Sequence, residues 1–216
     1  MSAERASITH RVRPADGTPA GALVLMHGRG ADELDLAPLL DLFDPDRRLV
    51  GLLPRGPLSL PPGGAHWYVV REIGYPDAPT FLETFAAASS WADAALEEAG
   101  VEAARTVFGG FSQGAVMSYS LGLAAARPRP AAILAMSGFI PRVDGFELDL
   151  ESRAGLPVSI SHGTHDPVIG VEWGRDARER LAEAGAAVRF REDPVAHQIA
   201  PGALAQARAV LESALA

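Results

Sequence analysis

A serine lies between two glycines in the segment Gly110-Phe111-Ser112-Gln113-Gly114. Residues 106–108, just before it, have the character of a β-strand, and small residues of helical character follow it. A sharp turn from strand to helix strains the backbone of its central serine and exposes the hydroxyl, while flanking glycines let strand and helix approach closely. Ser112 is therefore a candidate nucleophile. The alternative is an ordinary tight turn with an inert serine.

A serine attacks a carbonyl at neutral pH only when a base takes its proton and an anionic group orients that base. Asp166 follows the predicted strand 157–161, and His197 follows the predicted strand 187–191. Because the carboxyl ends of parallel strands meet at one edge of a sheet, we expect both side chains to lie near Ser112. The order serine, aspartate, histidine is the order found in α/β-hydrolases.

Other acidic and imidazole side chains fit these roles less well. Asp193 is close to His197 in sequence, which makes it a weaker candidate for the orienting acid. His162 and His165 flank the favoured aspartate, and local hydrogen bonding is the preferred interpretation for both. Together with His27 they suggest a metal site as an alternative, but no carboxylate at helical spacing completes a ligand set, so no metal is predicted.

A tetrahedral intermediate also needs donors for its oxyanion. The loop His27-Gly28-Arg29-Gly30 follows the predicted strand 22–26, and its glycines would let the backbone approach a substrate. We expect the backbone amides of Arg29 and Gln113 to form the oxyanion hole. The alternative for this loop is a generic strand-to-helix turn.

Strand-like and helix-like segments alternate along the chain. Strands are predicted at residues 8–13, 22–26, 49–53, 106–108, 132–136, 157–161 and 187–191, with the first at an edge. Helices are predicted at 34–43, from a Thr80/Glu83 capping box to Ala99, at 112–127, at 173–184 and at the C-terminus. This alternation predicts one α/β domain over residues 1–216, with a compact, mainly parallel sheet of about seven strands and helices on both faces.

A long segment rich in proline and glycine, residues 54–79, interrupts the alternation and is predicted to be an ordered functional loop. Trp67 lies in its middle and is the expected wall of a substrate pocket, together with Phe139. For both aromatic residues the alternative is a place in the core.

The composition excludes several classes of function. Lys+Arg is 19 and Asp+Glu is 27, a net charge of −8 with no basic block, so nucleic acid is not an expected partner. The chain has no cysteine and no lysine, which excludes thiol nucleophiles and Schiff-base chemistry. No signal peptide or membrane span is evident, so a cytoplasmic protein without stable membrane anchoring, a monomer or a homodimer, is expected.

The chain resembles the bacterial phospholipase/carboxylesterase family of α/β-hydrolases, which is related to acyl-protein thioesterases. The resemblance rests on the segments at 25–32, 54–57, 110–118, 137–139, 162–168 and 197–201, of which G-F-S-Q-G and H-G-x-x-D-P-V are the most specific. It implies a cofactor-independent serine hydrolase of small carboxylic esters or thioesters. It also implies Ser112, Asp166 and His197 as the triad, with the amides of Arg29 and Gln113 in the oxyanion hole.

Two positions depart from this resemblance. Ala196 replaces the glycine that usually precedes the histidine, and Arg29 stands where the thioesterase branch commonly has an apolar residue. Arg29 argues against a lipid-like acyl chain as the substrate. Two other functions stay open at this point, a hydrolase-fold binding protein without turnover and a dienelactone hydrolase, although the absence of cysteine counts against the second.

Overall fold

A computed structural model describes residues 8–216, and it contains eleven strands and five α-helices in that range. The strands are β1 (His10–Arg13), β2 (Gly21–Met26), β3 (Leu49–Pro54), β4 (Leu58–Leu60), β5 (Gly64–His66), β6 (Val70–Glu72), β7 (Tyr75–Pro76), β8 (Thr106–Phe111), β9 (Ala132–Met136), β10 (Pro157–Gly163) and β11 (Ala187–Asp193). The helices are α1 (Ala37–Phe43), α2 (Ala78–Ala99), α3 (Gln113–Leu123), α4 (Val171–Glu183) and α5 (Pro201–Ala214).

Seven of the strands form one sheet in the order β1-β3-β2-β8-β9-β10-β11. Only β1 runs antiparallel to its neighbour, and it lies at an edge as predicted. The remaining pairs are parallel, so the carboxyl ends of β2, β8, β10 and β11 all open at the same edge. The predicted seven-stranded, mainly parallel sheet is confirmed.

Helices cover both faces of the sheet because successive residues of a buried strand point in opposite directions. Along β2, Val24 packs in a cluster with residues of α2 and α3, while Leu25 packs in a second cluster with residues of α1 and α5. Along β10, Val158 and Ile160 face α4 in a third cluster. All six residues of β2 are buried, as a strand covered on both faces requires.

The structure differs from the sequence prediction in the segment 54–79 and at the start of α2. The segment 54–79 holds two small antiparallel pairs, β4–β5 and β6–β7, whose strands are too short to show a periodic pattern. Helix α2 is capped by Asp77, whose carboxylate accepts a hydrogen bond from the Thr80 amide, so the helix begins before the predicted capping box. Gly100 ends it in the left-handed conformation (φ 65°), as predicted.

Helix α3 ends at Leu123, short of the predicted residue 127. Ala124 turns to an extended conformation and forms a β-bridge with Leu148, and the buried Arg153 guanidinium donates hydrogen bonds to the carbonyls of Ala124 and Arg127. Partners this distant in sequence leave no local stop signal. None of the helices in residues 8–216 is long and apolar enough to cross a membrane.

Candidate active site

The turn between β8 and α3 holds Ser112 in a strained conformation, with φ 55° and ψ −121°. A β-carbon added to Gly114 would lie 1.9 Å from the Met26 carbonyl oxygen, and one added to Gly110 would lie 2.4 Å from the Gly114 backbone. Both glycines are therefore required by close approach. The Ser112 amide donates a hydrogen bond to the Met136 carbonyl at 2.9 Å, which ties the turn to β9.

The structure brings Ser112, His197 and Asp166 together at the carboxyl edge of the sheet. Ser112 Oγ lies 2.9 Å from His197 Nε2, and His197 Nδ1 lies 2.6 Å from Asp166 Oδ2. With its proton on Nδ1, the imidazole donates to the carboxylate and its Nε2 lone pair accepts the serine hydroxyl. Each side chain follows a different strand, β8, β10 and β11, which is why 85 residues of sequence separate serine and histidine.

The Asp166 carboxylate is fully buried and completely hydrogen-bonded. Its Oδ1 accepts hydrogen bonds from the amides of Val168 (2.8 Å) and Ile169 (2.9 Å), while Oδ2 accepts from His197. Burial alone raises the pKa of Asp166, but the hydrogen bonds from His197, Ile169 and Val168 outweigh burial and hold the pKa below its ordinary value. Asp166 is therefore a carboxylate at neutral pH.

Asp193, the alternative acid, is hydrogen-bonded to Arg191 and not to His197. Its two carboxylate oxygens accept hydrogen bonds from the Arg191 guanidinium at 2.7 and 2.6 Å. The carboxylate that contacts His197 is therefore that of Asp166 and not that of Asp193.

The loop after β2 is fixed by the buried side chain of His27. Its Nδ1 donates to the Gly28 carbonyl at 2.7 Å, and its Nε2 accepts from the Gly56 amide at 2.9 Å. Burial lowers the pKa of His27, so the ring stays neutral and can fill both roles. Within residues 8–216, the backbone amides of Arg29 and Gln113 donate to no protein group and are left available to a ligand.

Trp67 does not line the cleft, contrary to the sequence prediction. Its side chain is fully buried; Nε1 donates to the His27 carbonyl at 2.9 Å, and the backbone amide donates to Gln113 Oε1 at 3.0 Å. Gln113 Nε2 in turn donates to the Tyr68 carbonyl at 2.9 Å. Trp67 therefore links the loop after β2 to Gln113, the two parts of the predicted oxyanion hole, from a position in the core. Tyr68, the next residue along the chain, lines the cleft instead.

A cleft of about 260 Å³ opens at the serine. Its lining consists of Arg29, Tyr68, Val70, Glu72, Ile73, Ser112, Gln113, Phe139, Val168 and Ile169. Phe139, the other aromatic residue expected at a substrate pocket, is among these lining residues. Three of the lining residues come from β6 and the turn that follows it, a part of the chain in which no short strand was predicted. The floor is apolar, and Arg29 and Glu72 are the charged members of the lining.

Two of the three histidines suggested as metal ligands, His27 and His162, have other partners. His27 is bonded to two backbone groups, and His162 Nε2 lies 2.8 Å from the Ile169 carbonyl. Within the described residues, no group of three or more histidine, aspartate or glutamate side chains is arranged to hold a metal ion.

The sheet order and the turn at Ser112 define an α/β-hydrolase domain. The chain belongs to the phospholipase/carboxylesterase family, whose model matches residues 8–215. It is 29% identical over 192 residues to MhqD of Bacillus subtilis (strain 168), covering 89% of this chain and 92% of that protein. It is 27% identical over 157 residues to acyl-protein thioesterase 1 of Debaryomyces hansenii, covering 69% and 67%.

A solved structure agrees with these sequence relatives. The crystal structure of a Bacillus cereus carboxylesterase superimposes with a TM-score of 0.83 at 26% identity, covering 96% of this chain and 94% of that one. Family and relatives together indicate a hydrolase of the esterase and thioesterase kind.

Proposed function

We propose that this protein is a serine hydrolase of small carboxylic esters or thioesters that works through an acyl-enzyme, without a cofactor. The observation that carries the proposal is the continuous path of hydrogen bonds from Asp166 through His197 to Ser112. A serine in the elbow position becomes a nucleophile only with such a base and such an orienting acid.

The first half of the reaction acylates the serine. His197 Nε2 takes the hydroxyl proton as Ser112 Oγ attacks the carbonyl carbon, and buried Asp166 stabilises the resulting imidazolium. The carbonyl oxygen becomes an oxyanion that the amides of Arg29 and Gln113 stabilise. When this intermediate collapses, His197 gives its proton to the leaving alcohol or thiol.

The second half returns the enzyme to its starting state. A water molecule gives a proton to His197 and attacks the acyl carbon, and the imidazolium then returns a proton to Ser112 as the acid leaves. The neutral His27 and buried Trp67 keep the oxyanion loop in place without taking part in proton transfer.

The cleft limits the acyl group that fits beside the serine. Its volume of about 260 Å³ lies below the range of about 300–1,000 Å³ that is usual for small-molecule pockets. Its apolar floor, with Phe139 and Ile169, suits a short hydrocarbon chain, while the charged residues of the lining, Arg29 and Glu72, do not favour a long one. A panel of p-nitrophenyl esters should therefore show kcat/KM falling as the acyl chain lengthens.

The test of the function uses Ser112→Ala and, as a matched control, Ser120→Ala. Ser120 is a second buried serine, within α3, but its Oγ donates to the Val116 carbonyl and the residue does not line the cleft. Ser112→Ala should lower kcat for p-nitrophenyl acetate by about 10⁴-fold or more and abolish labelling by a fluorophosphonate probe. Ser120→Ala should keep the wild-type kcat and should still be labelled by the probe. Near-wild-type turnover by Ser112→Ala would refute the proposal. A wild-type protein that is neither labelled nor active would favour a binding protein.

A further inference from the structure

His162 lies one residue before the end of β10 and points into the protein. Its side chain is fully buried on the same face of the strand as Val158 and Ile160, beneath helix α4. Its neighbours on that face are apolar and pack in the core, so an apolar residue would suit this position for stability alone. The imidazole needs another explanation.

The imidazole holds the loop that carries the acid. His162 Nε2 donates a hydrogen bond to the Ile169 carbonyl at 2.8 Å, and the Ile169 amide donates to Asp166 Oδ1 at 2.9 Å. Ile169 is thus held through its carbonyl by His162 and through its amide by Asp166, which fixes the loop between Asp166 and Ile169. His162 Nε2 also lies 3.6 Å from Asp166 Oδ2, the oxygen that faces His197, which is too far for a hydrogen bond.

Two features of this arrangement cost stability. His162 Nδ1 is buried and has no hydrogen-bond partner within the described residues, which leaves a polar atom unsatisfied. Gly174 lies inside α4, where glycine is unfavourable, and a β-carbon there would come within 2.7 Å of Nδ1. An unsatisfied Nδ1 and a glycine within a helix are therefore the structural cost of placing an imidazole at this position.

We propose that His162 is a positioning residue for the catalytic acid: its Nε2–H fixes the loop 166–169 so that Asp166 presents Oδ2 to His197. This inference rests on the proposed function, because it assigns a role within the same triad. A neutral ring is essential to it. A second cation 3.6 Å from Oδ2 would compete with the imidazolium for the carboxylate charge.

The charges around the ring favour that neutral form only in part. Asp166 on the loop, Glu172 on α4 and Glu192 on β11 raise the proton affinity of His162, while His197 lowers it. Burial is the largest effect, and it leaves the pKa of His162 below its ordinary value. The ring therefore stays neutral at the pH at which the triad works.

Two substitutions separate positioning from packing. His162→Gln places an amide nitrogen at the same distance along the side chain as Nε2 and keeps a donor for the Ile169 carbonyl. His162→Asn places its amide at the level of Nδ1 and removes that donor. Leu181→Ala, in α4 of the same cluster, weakens the packing without touching the loop and serves as the stability control.

His162→Asn should lower kcat by about 10–100-fold with little change in KM, since misplacing a catalytic group acts mainly on the chemical step. It should also move the acid limb of the kcat/KM profile to lower pH and shift the downfield proton NMR signal of the His197–Asp166 bond. His162→Gln should restore most of kcat. Leu181→Ala should lower the melting temperature and leave the pH profile and the NMR signal unchanged.

The inference and the proposed function fail in different ways. If wild type is active but His162→Asn behaves as Leu181→Ala does, with lower stability and an unchanged pH profile, His162 is only structural and the inference is wrong. If His162→Gln is as impaired as His162→Asn, the Nε2 donor is not what matters. If wild type neither hydrolyses esters nor reacts with the fluorophosphonate, the proposed function itself has failed.

Discussion

Replacing Asp166 by asparagine tests whether this residue is the acid of the proposed triad, without changing the shape of the site. The asparagine oxygen can still accept the amides of Val168 and Ile169, so the loop should keep its conformation. The asparagine nitrogen then faces His197 Nδ1 and donates to it. The imidazole must accept there and carry its proton on Nε2, where it can no longer take the proton of Ser112.

The expected loss follows from that change of tautomer and from the missing charge. The same substitution in a serine protease triad lowers kcat by about 10⁴-fold, and we expect a loss of that order here. This corresponds to about 5.5 kcal/mol of transition-state stabilisation, at about 1.4 kcal/mol for each factor of ten. Because the Asp166 side chain is fully buried, water cannot take the place of the carboxylate, and the loss should not fall below this order.

The assay is steady-state hydrolysis of p-nitrophenyl acetate across the pH range, with thermal unfolding as the check on folding. Asp193→Asn is the matched control. Asp193 is an aspartate at the end of β11, near His197 in sequence, but its carboxylate is hydrogen-bonded to Arg191. This variant should keep kcat near the wild-type value. An Asp166→Asn protein that folds normally and stays within about tenfold of wild type would refute the assignment of the acid.

Two further predictions concern stability. Gly114→Ala places a β-carbon 1.9 Å from the Met26 carbonyl and should lower the free energy of unfolding by about 3 kcal/mol or more, whereas Gly63→Ala, with open space around it, should change the urea midpoint little. Burial lowers the folded-state pKa of His27 and His162, so the unfolded chain binds more protons below their ordinary value of 6.5. Stability should therefore fall from about pH 7 to about pH 5, less steeply in His162→Gln; an equal slope in that variant would contradict this.

The sheet was predictable because each of its buried strands is a run of apolar residues with its own turn signals. The seven predicted strands all lie in the observed sheet, and their ends differ by only a few residues. The small strands between residues 54 and 79 were not predictable, since β6 is fully exposed and β7 has two residues, so neither shows a hydrophobic pattern. The end of α3 depends on Arg153, which is distant in sequence.

In the candidate site, the residues proposed to carry out the chemistry were predictable from the sequence, whereas the residues that position them were not. Serine, aspartate and histidine are chemically distinctive, and each follows a strand, so their types and positions predicted Ser112, Asp166 and His197. The structure brings these three together. Trp67 was assigned to the cleft because aromatic residues often line pockets, yet the folded chain buries its side chain and places the next residue, Tyr68, at the cleft.

The holding residues are ordinary by type and meet their partners only in the folded chain. Trp67 contacts His27 and Gln113 from 40 and 46 residues away, and these bonds connect the two amides that would stabilise an oxyanion. Donors held in advance of the reaction need no reorganisation when charge develops, which is where such a site gains most of its rate. A change at Trp67 should therefore weaken catalysis through the oxyanion loop although its side chain never meets the substrate.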